Sequence, residues 1–110
     1  MIGLATAGAV SAAIAIGFSA FGAHAAANAQ AAEWLRTGGL YQLIHAVGAL
    51  VVMGVARGPA AMLLAGSILF AATLYAMALG APRWLGAVTP VGGALMIAGW
   101  LWAAWEMPRG

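Results

Sequence analysis

The chain has 110 residues, 65% of them hydrophobic and 5% charged, with a formal net charge of +2 at pH 7 and a mean hydropathy of +1.02. Soluble domains carry roughly a quarter charged residues, so Glu33, Arg36, Arg57, Arg83, Glu106 and Arg109 are too few to coat a water-facing surface, and the medium this sequence implies is lipid. The arginines are scattered without a basic stripe, which gives no footing for a nucleic-acid partner. The absence of cysteine excludes disulfides, iron–sulfur ligation, thiolate zinc and thiol catalysis.

A bilayer core takes about 20 apolar residues of helix, and four such stretches lie between the charges, predicting an all-α integral membrane protein: a single domain, residues 1–110, folded as a four-transmembrane-helix bundle. The first span runs from about Ile2 to Ala27. Ala23-His24-Ala25 and Ala27-Asn28-Ala29 resemble small-residue cleavage sites, but the segment lacks a basic start and is long for a signal sequence, so it reads as a span. The connection from Asn28 to Arg36, with Glu33 and Arg36 at helical spacing around Trp34 and Leu35, reads as a short interfacial segment. The second span is expected from about Thr37 to Ala56, with a tight turn at Arg57-Gly58-Pro59. The third runs from about Pro59 to Leu79, Pro59 suiting the first turn of a helix, and makes an antiparallel hairpin with the second. After the helix-stopping Gly80-Ala81-Pro82 and the interface anchor Trp84, the fourth span is expected from about Leu85 to Trp105. Thr89 is its expected N-cap, Pro90 its first helical residue and Leu85 to Val88 an irregular entry. Arg57 and Arg109 then share a side with the N-terminus, and Arg36 and Arg83 face the other, so the positive-inside rule sets no orientation.

This topology gathers the end of span one, the start of span two, the end of span three and the start of span four on one side of the membrane. His24, Tyr41, Gln42, His45, Thr73, Tyr75, Arg83 and Thr89 all fall in that half. The other half is left with Ser11, Ser67, the terminal charges and a belt of Trp100, Trp102 and Trp105. Tyr41, Gln42 and His45 lie three and four residues apart, so one helix face carries phenol, carboxamide and imidazole. Buried polar groups without partners cost about 1 to 3 kcal/mol, so that face is expected to point inward toward His24, Tyr75 or Thr89. Ionisable groups inside a membrane are candidate functional sites. The plainer role is interhelical hydrogen bonding worth roughly 0.6 kcal/mol a bond, and it is the reading adopted.

His24, His45 and Glu33 are the only set able to suggest a metal or, for the histidines, a haem. His45 lies about 12 Å along its helix from Thr37, deeper than the other two, so no metal and no cofactor is expected. No acidic pair, Gly-x-Ser-x-Gly elbow or phosphate-binding glycine loop is present. Arg83 is the one charge near the polar half that could hold an anion such as a lipid phosphate, although an arginine that merely snorkels is the simpler role. Small residues four apart, at Ala72, Ala76 and Gly80 and at Gly99 and Ala103, together with Gly8, Gly17, Gly22 and Gly48, allow close helix approach within the chain or between chains.

The run Gly17-Phe18-Ser19-Ala20-Phe21-Gly22-Ala23-His24, then Thr37-Gly38 leading to Tyr41-Gln42-Leu43-Ile44-His45, Leu69-Phe70 to Leu74-Tyr75, and Trp84 to Val88-Thr89-Pro90-Val91-Gly92-Gly93 with Ala98-Gly99-Trp100, resembles the domain of unknown function 423 family of YgdD-type and transmembrane protein 256-like small membrane proteins. The resemblance spans nearly the whole chain. It implies a small four-helix protein of the bacterial inner membrane, with no settled activity to carry over. Ala71 and Thr73 stand where the pattern suggests serines, making this copy less polar there.

The expected function is that of a non-enzymatic structural, accessory or small-ligand-binding bundle partnered by membrane lipid, as a homo-oligomer or part of a larger complex. The candidate polar cluster is His24, Tyr41, Gln42, His45, Tyr75, Arg83 and Thr89. One alternative is a small transporter or channel subunit in which His24 and His45 handle protons. The other is an intramembrane enzyme acting on lipid or quinone, with His45 as base and Tyr41 as its orienter.

Overall fold

The computed structural model describes residues 3–108, so Ile2 at the start of the first expected span and Arg109 lie outside it. Helices α1 (Leu4–His24), α2 (Ala29–Val52), α3 (Arg57–Ala78) and α4 (Thr89–Glu106) follow in order, with a 3-10 turn at Arg83–Ala87 leading into α4. The molecule measures 48 × 29 × 25 Å, an axial length close to the roughly 40 to 45 Å of a bilayer with its headgroups.

Among the described residues, three stretches are long and apolar enough to cross a membrane: Leu4–His24, Arg57–Ala78 and Arg83–Glu106. Helix α2 is long enough, at 24 residues or about 36 Å. Its composition keeps it out of that group, because Glu33, Arg36, Gln42 and His45 dilute its apolar residues. The fold compensates by placing α2 between α1 and α3.

The helices pack in sequence, α1 on α2, α2 on α3 and α3 on α4, while α1 reaches α3 only narrowly and has no extensive contact with α4. All four expected helices form, in an open arrangement whose two end helices keep an apolar face outward, with Val10, Ile14 and Ile16 exposed on α1 and Ile97 and Leu101 on α4. Two apolar clusters fill the interior. Ala49, Val52, Ala60, Leu63, Leu64 and Ala103 pack near the α2–α3 turn. Leu35, Ala71 and Tyr75 pack at the other end, against Phe18, Ala26 and Ala78.

Local chemistry sets the element ends, and several differ from expectation. Asn28 caps α2 by accepting the Ala31 N–H on its side-chain oxygen at 2.8 Å. The expected connection from Asn28 to Arg36 is therefore the cap and first two turns of α2, and the Arg36–Glu33 pair at 3.0 Å is an exposed contact within one helix. The turn between α2 and α3 falls at Met53 to Ala56 rather than at Arg57-Gly58-Pro59, which form the first residues of α3. Gly58 belongs there because a Cβ would meet the Trp102 ring at 2.5 Å. Helix α3 ends at Ala78, and two residues on Gly80 takes a φ of 107° that is open to glycine. The Ala81 N–H then closes back on the Ala76 carbonyl at 2.9 Å, the wrapped C-terminal turn expected of such a glycine. Thr89 is the first residue of α4 and not its cap. Its hydroxyl turns to Leu85 and Thr73 instead.

Candidate functional site: a polar layer between the helices

Between the two apolar clusters lies a chain of hydrogen bonds centred on Gln42. Its amide nitrogen donates to Ser11 Oγ of α1 at 2.9 Å, and its carbonyl oxygen accepts the Tyr75 hydroxyl of α3 at 2.6 Å. One carboxamide thus joins three helices, its donor end meeting α1 and its acceptor end meeting α3. Gln42 is 3% exposed, so the bonds are shielded from competing partners. Phe18 of α1 stacks on the Tyr75 ring with centroids 4.0 Å apart and planes 13° from parallel, which fixes the direction of the phenol.

His45 is held from both sides. Its Nδ1 lies 2.7 Å from the Tyr41 carbonyl one turn earlier, and Trp100 of α4 donates its indole N–H to Nε2 at 3.0 Å. A carbonyl only accepts and an indole N–H only donates. These partners therefore define the neutral imidazole with its proton on Nδ1 and its Nε2 lone pair occupied. The Trp100 ring also covers Gly48, where a Cβ would come within 2.9 Å of it. α2 and α4 thus meet through an indole seated on a glycine.

A third link joins α3 to α4. The Thr73 and Thr89 hydroxyls share a hydrogen bond at 2.7 Å, with the Phe70 carbonyl 2.9 Å from Thr73 Oγ1 and the Leu85 carbonyl 3.3 Å from Thr89 Oγ1 as further acceptors. Ser67 closes on Leu64 within α3. Among the described residues, no buried side-chain nitrogen or oxygen lacks a hydrogen-bond partner.

The residues singled out by spacing are thus distributed over several places. Gln42 and Tyr75 bond each other, while His45 joins a separate pair. Tyr41 shares the His45 turn through its carbonyl, but its ring is exposed and lies against Phe70 with centroids 5.0 Å apart. His24 ends α1 on the surface, away from the others. Thr89 belongs to the Thr73 link. Arg83 is exposed beside the Trp34 ring, its Cζ 5.6 Å from the centroid.

Topology alone puts Ser11 in the opposite half and Trp100 in the aromatic belt, yet both are partners of the polar layer. The polarity is consequently not confined to one end of the helices: Gln42 reaches Ser11 near the middle of α1. The signal available in the sequence was modest, a lone serine in an Ala-rich helix and a tryptophan one turn inside a terminal cluster.

The model of a family described as a protein of unknown function, DUF423, matches residues 18–93, most of the chain. The chain belongs to the DUF423 family. Its relatives include a UPF0382 membrane protein of Staphylococcus saprophyticus, 37% identical over 105 residues that cover 86% of this chain and 87% of the relative. The UPF0382 membrane protein YwdK of Bacillus subtilis is 33% identical over 106 residues, 86% of each. The UPF0382 inner membrane protein YgdD of Escherichia coli is 34% identical over 106 residues, 84% of this chain and 79% of the relative. No solved structure matches the chain. Within this DUF423 chain the matched segment contains Gln42, His45, Thr73, Tyr75 and Thr89, while Ser11 and Trp100 fall just outside it.

Proposed function

We propose that this chain is a non-enzymatic protein of the bacterial inner membrane, crossing the bilayer with all four helices, and that its polar layer fixes helix register so that it serves as a structural or accessory unit. The observation that carries this reading is the completeness of the hydrogen bonding: Gln42 is spent on Ser11 and Tyr75, and both His45 nitrogens are spent on Tyr41 and Trp100. A general base needs a lone pair within reach of a substrate proton, and a proton relay needs a nitrogen free to accept. His45 offers neither while Trp100 is bound, which weighs against both the enzyme and the proton-handling alternatives. The names of the DUF423 relatives as membrane and inner membrane proteins support the location.

Crossing by α2 is supported by its length and by its position between two apolar helices, which shields Gln42 and His45 from lipid. The test of the functional reading is thermal denaturation in detergent beside proton flux in reconstituted vesicles. Gln42→Ala and His45→Ala should each lower the melting temperature, and wild-type vesicles should pass no more protons than empty ones. A flux abolished by His45→Ala at unchanged melting temperature would replace the structural role with transport.

A further inference from the structure

A surface cleft of about 510 Å³ lies away from the polar layer, where the end of α1, the start of α2, the end of α3 and the 3-10 turn converge. Its outer wall carries Arg83, Asn28 and Gln30, and its inner wall carries Phe21, Met77 and Leu79. We propose that this cleft holds the phosphate headgroup of an anionic phospholipid, with Arg83 as the principal contact and Phe21 and Leu79 against the upper acyl chain. The inference rests on the membrane placement proposed above.

Charge is the first argument. The only ion pair among the described residues joins Arg36 to Glu33, so those charges cancel, and neither residue lines the cleft. Arg83 has no carboxylate partner, and no carboxylate lines the wall around it. The cleft therefore bears a single uncompensated positive charge at the level of the membrane surface.

Geometry is the second. The Trp34 ring, half-buried, supports the guanidinium from one face at 5.6 Å. Cation–π contact of this kind restrains the fork while leaving its N–H edges to bind, and a guanidinium edge matches two phosphate oxygens. Asn28 uses its carbonyl oxygen to cap α2, so its amide N–H groups remain available as further donors. Three carbonyls at the end of α3 are already occupied. Those of Tyr75, Ala76 and Met77 accept from Leu79, Gly80 and Ala81.

Polarity along the cleft is the third. Asn28, Gln30 and Arg83 lie in or beside the connections, whereas Phe21 is one turn inside α1 and Met77 inside α3. Phe21 and Leu79 are large exposed apolar side chains. A free phosphate would use only the outer part of this surface. A phospholipid uses both, since its charge sits at the interface and its chains descend beside the helices.

The test uses the full-length protein purified in detergent and titrated with phosphatidylglycerol, phosphatidylcholine or inorganic phosphate, with bound lipid counted by native mass spectrometry. Wild type should bind one phosphatidylglycerol in preference to phosphatidylcholine. R83Q should weaken that binding about fivefold, the factor that roughly 1 kcal/mol per interfacial cation implies, while R57Q at the opposite end should not. Equal losses in R83Q and R57Q, or no loss in either, would overturn the site. Displacement of the lipid by millimolar inorganic phosphate would assign the cleft to a free anion and overturn the lipid reading. Stable incorporation into phosphatidylcholine nanodiscs reports the membrane placement separately, so a failure there is distinguishable from a failure of the headgroup site.

Discussion

Gln42 and His45 are three residues apart, yet they act on different neighbours, and their substitutions should behave differently. Tyr75→Phe removes one hydrogen bond to Gln42 and should cost about 0.6 to 1.7 kcal/mol, the range for such bonds inside membranes. In a Gln42→Leu background the same change should cost almost nothing, because the acceptor has already gone. A double-mutant cycle on thermal or denaturant unfolding in detergent would check this, and additive losses would contradict the Gln42–Tyr75 bond. For His45, nitrogen NMR of the ring should show the proton on Nδ1 and a bare, hydrogen-bonded Nε2. Trp100→Phe should leave the ring signal shifted at Nε2. The same Nε2 signal in both proteins would rule out the indole as donor. Spacing in the sequence placed both residues on an inward side of one helix. It did not reveal that Ser11 and Trp100 were their partners, since those lie 31 and 55 residues away.

At the level of helix pairs, close approach is decided glycine by glycine. A Cβ at Gly92 would fall 2.5 Å from the Phe70 backbone nitrogen and 2.7 Å from the Gly66 carbonyl oxygen. Backbone atoms cannot swing aside, so Gly92→Ala should push α4 off α3 and cost about 1 to 3 kcal/mol. The adjacent Gly93 meets nothing within 4 Å, and Gly93→Ala should be neutral or slightly stabilising, because alanine loses less backbone entropy in a helix. Equal melting temperatures for the two variants would count against the α3–α4 contact. Gly39 is filled in the same way by Ser19 and the Ala15 carbonyl between α1 and α2, and Gly38 by the Tyr75 ring, 2.8 Å from a built Cβ. Small-residue spacing pointed to Gly99 and Ala103 as contacts, and both are buried against α3. It pointed equally to Ala72 and Gly17, which are exposed. Composition marks where helices can approach; the rotation of each helix decides which small residues are used.

For the whole molecule, the number of crossings rests on α2. If all four helices span, the connection at Ala27 and the turn at Val55 lie on opposite sides of the membrane. The chain has no cysteine, so Ala27→Cys and Val55→Cys, both at exposed positions, give single labelling sites. In sealed membrane vesicles an impermeant maleimide should label one of the two and reach the other only after permeabilisation. Labelling of both from the same side would place α2 along the membrane instead of across it. The open edge between α1 and α4 also bears on assembly, because the outward Val10, Ile14, Ile97 and Leu101 are suited to acyl chains.

The sequence by itself determined the medium and the class of fold. With 5% charged residues no water-facing surface can be built, and long apolar runs broken by Gly, Pro and charge leave the backbone few choices but helix. The family resemblance was legible because its letters lie along those same runs, and several of them, Gly22, Gly38, Gln42, Tyr75 and Gly92, make contacts between helices. Only the tertiary structure decided which polar atoms meet. Ser11, Gln42, Tyr75, His45 and Trp100 come together through the axial offset and rotation of four helices. Those are set by backbone approach at glycines such as Gly39 and Gly92, and one helix's periodicity carries no information about the phase of the next.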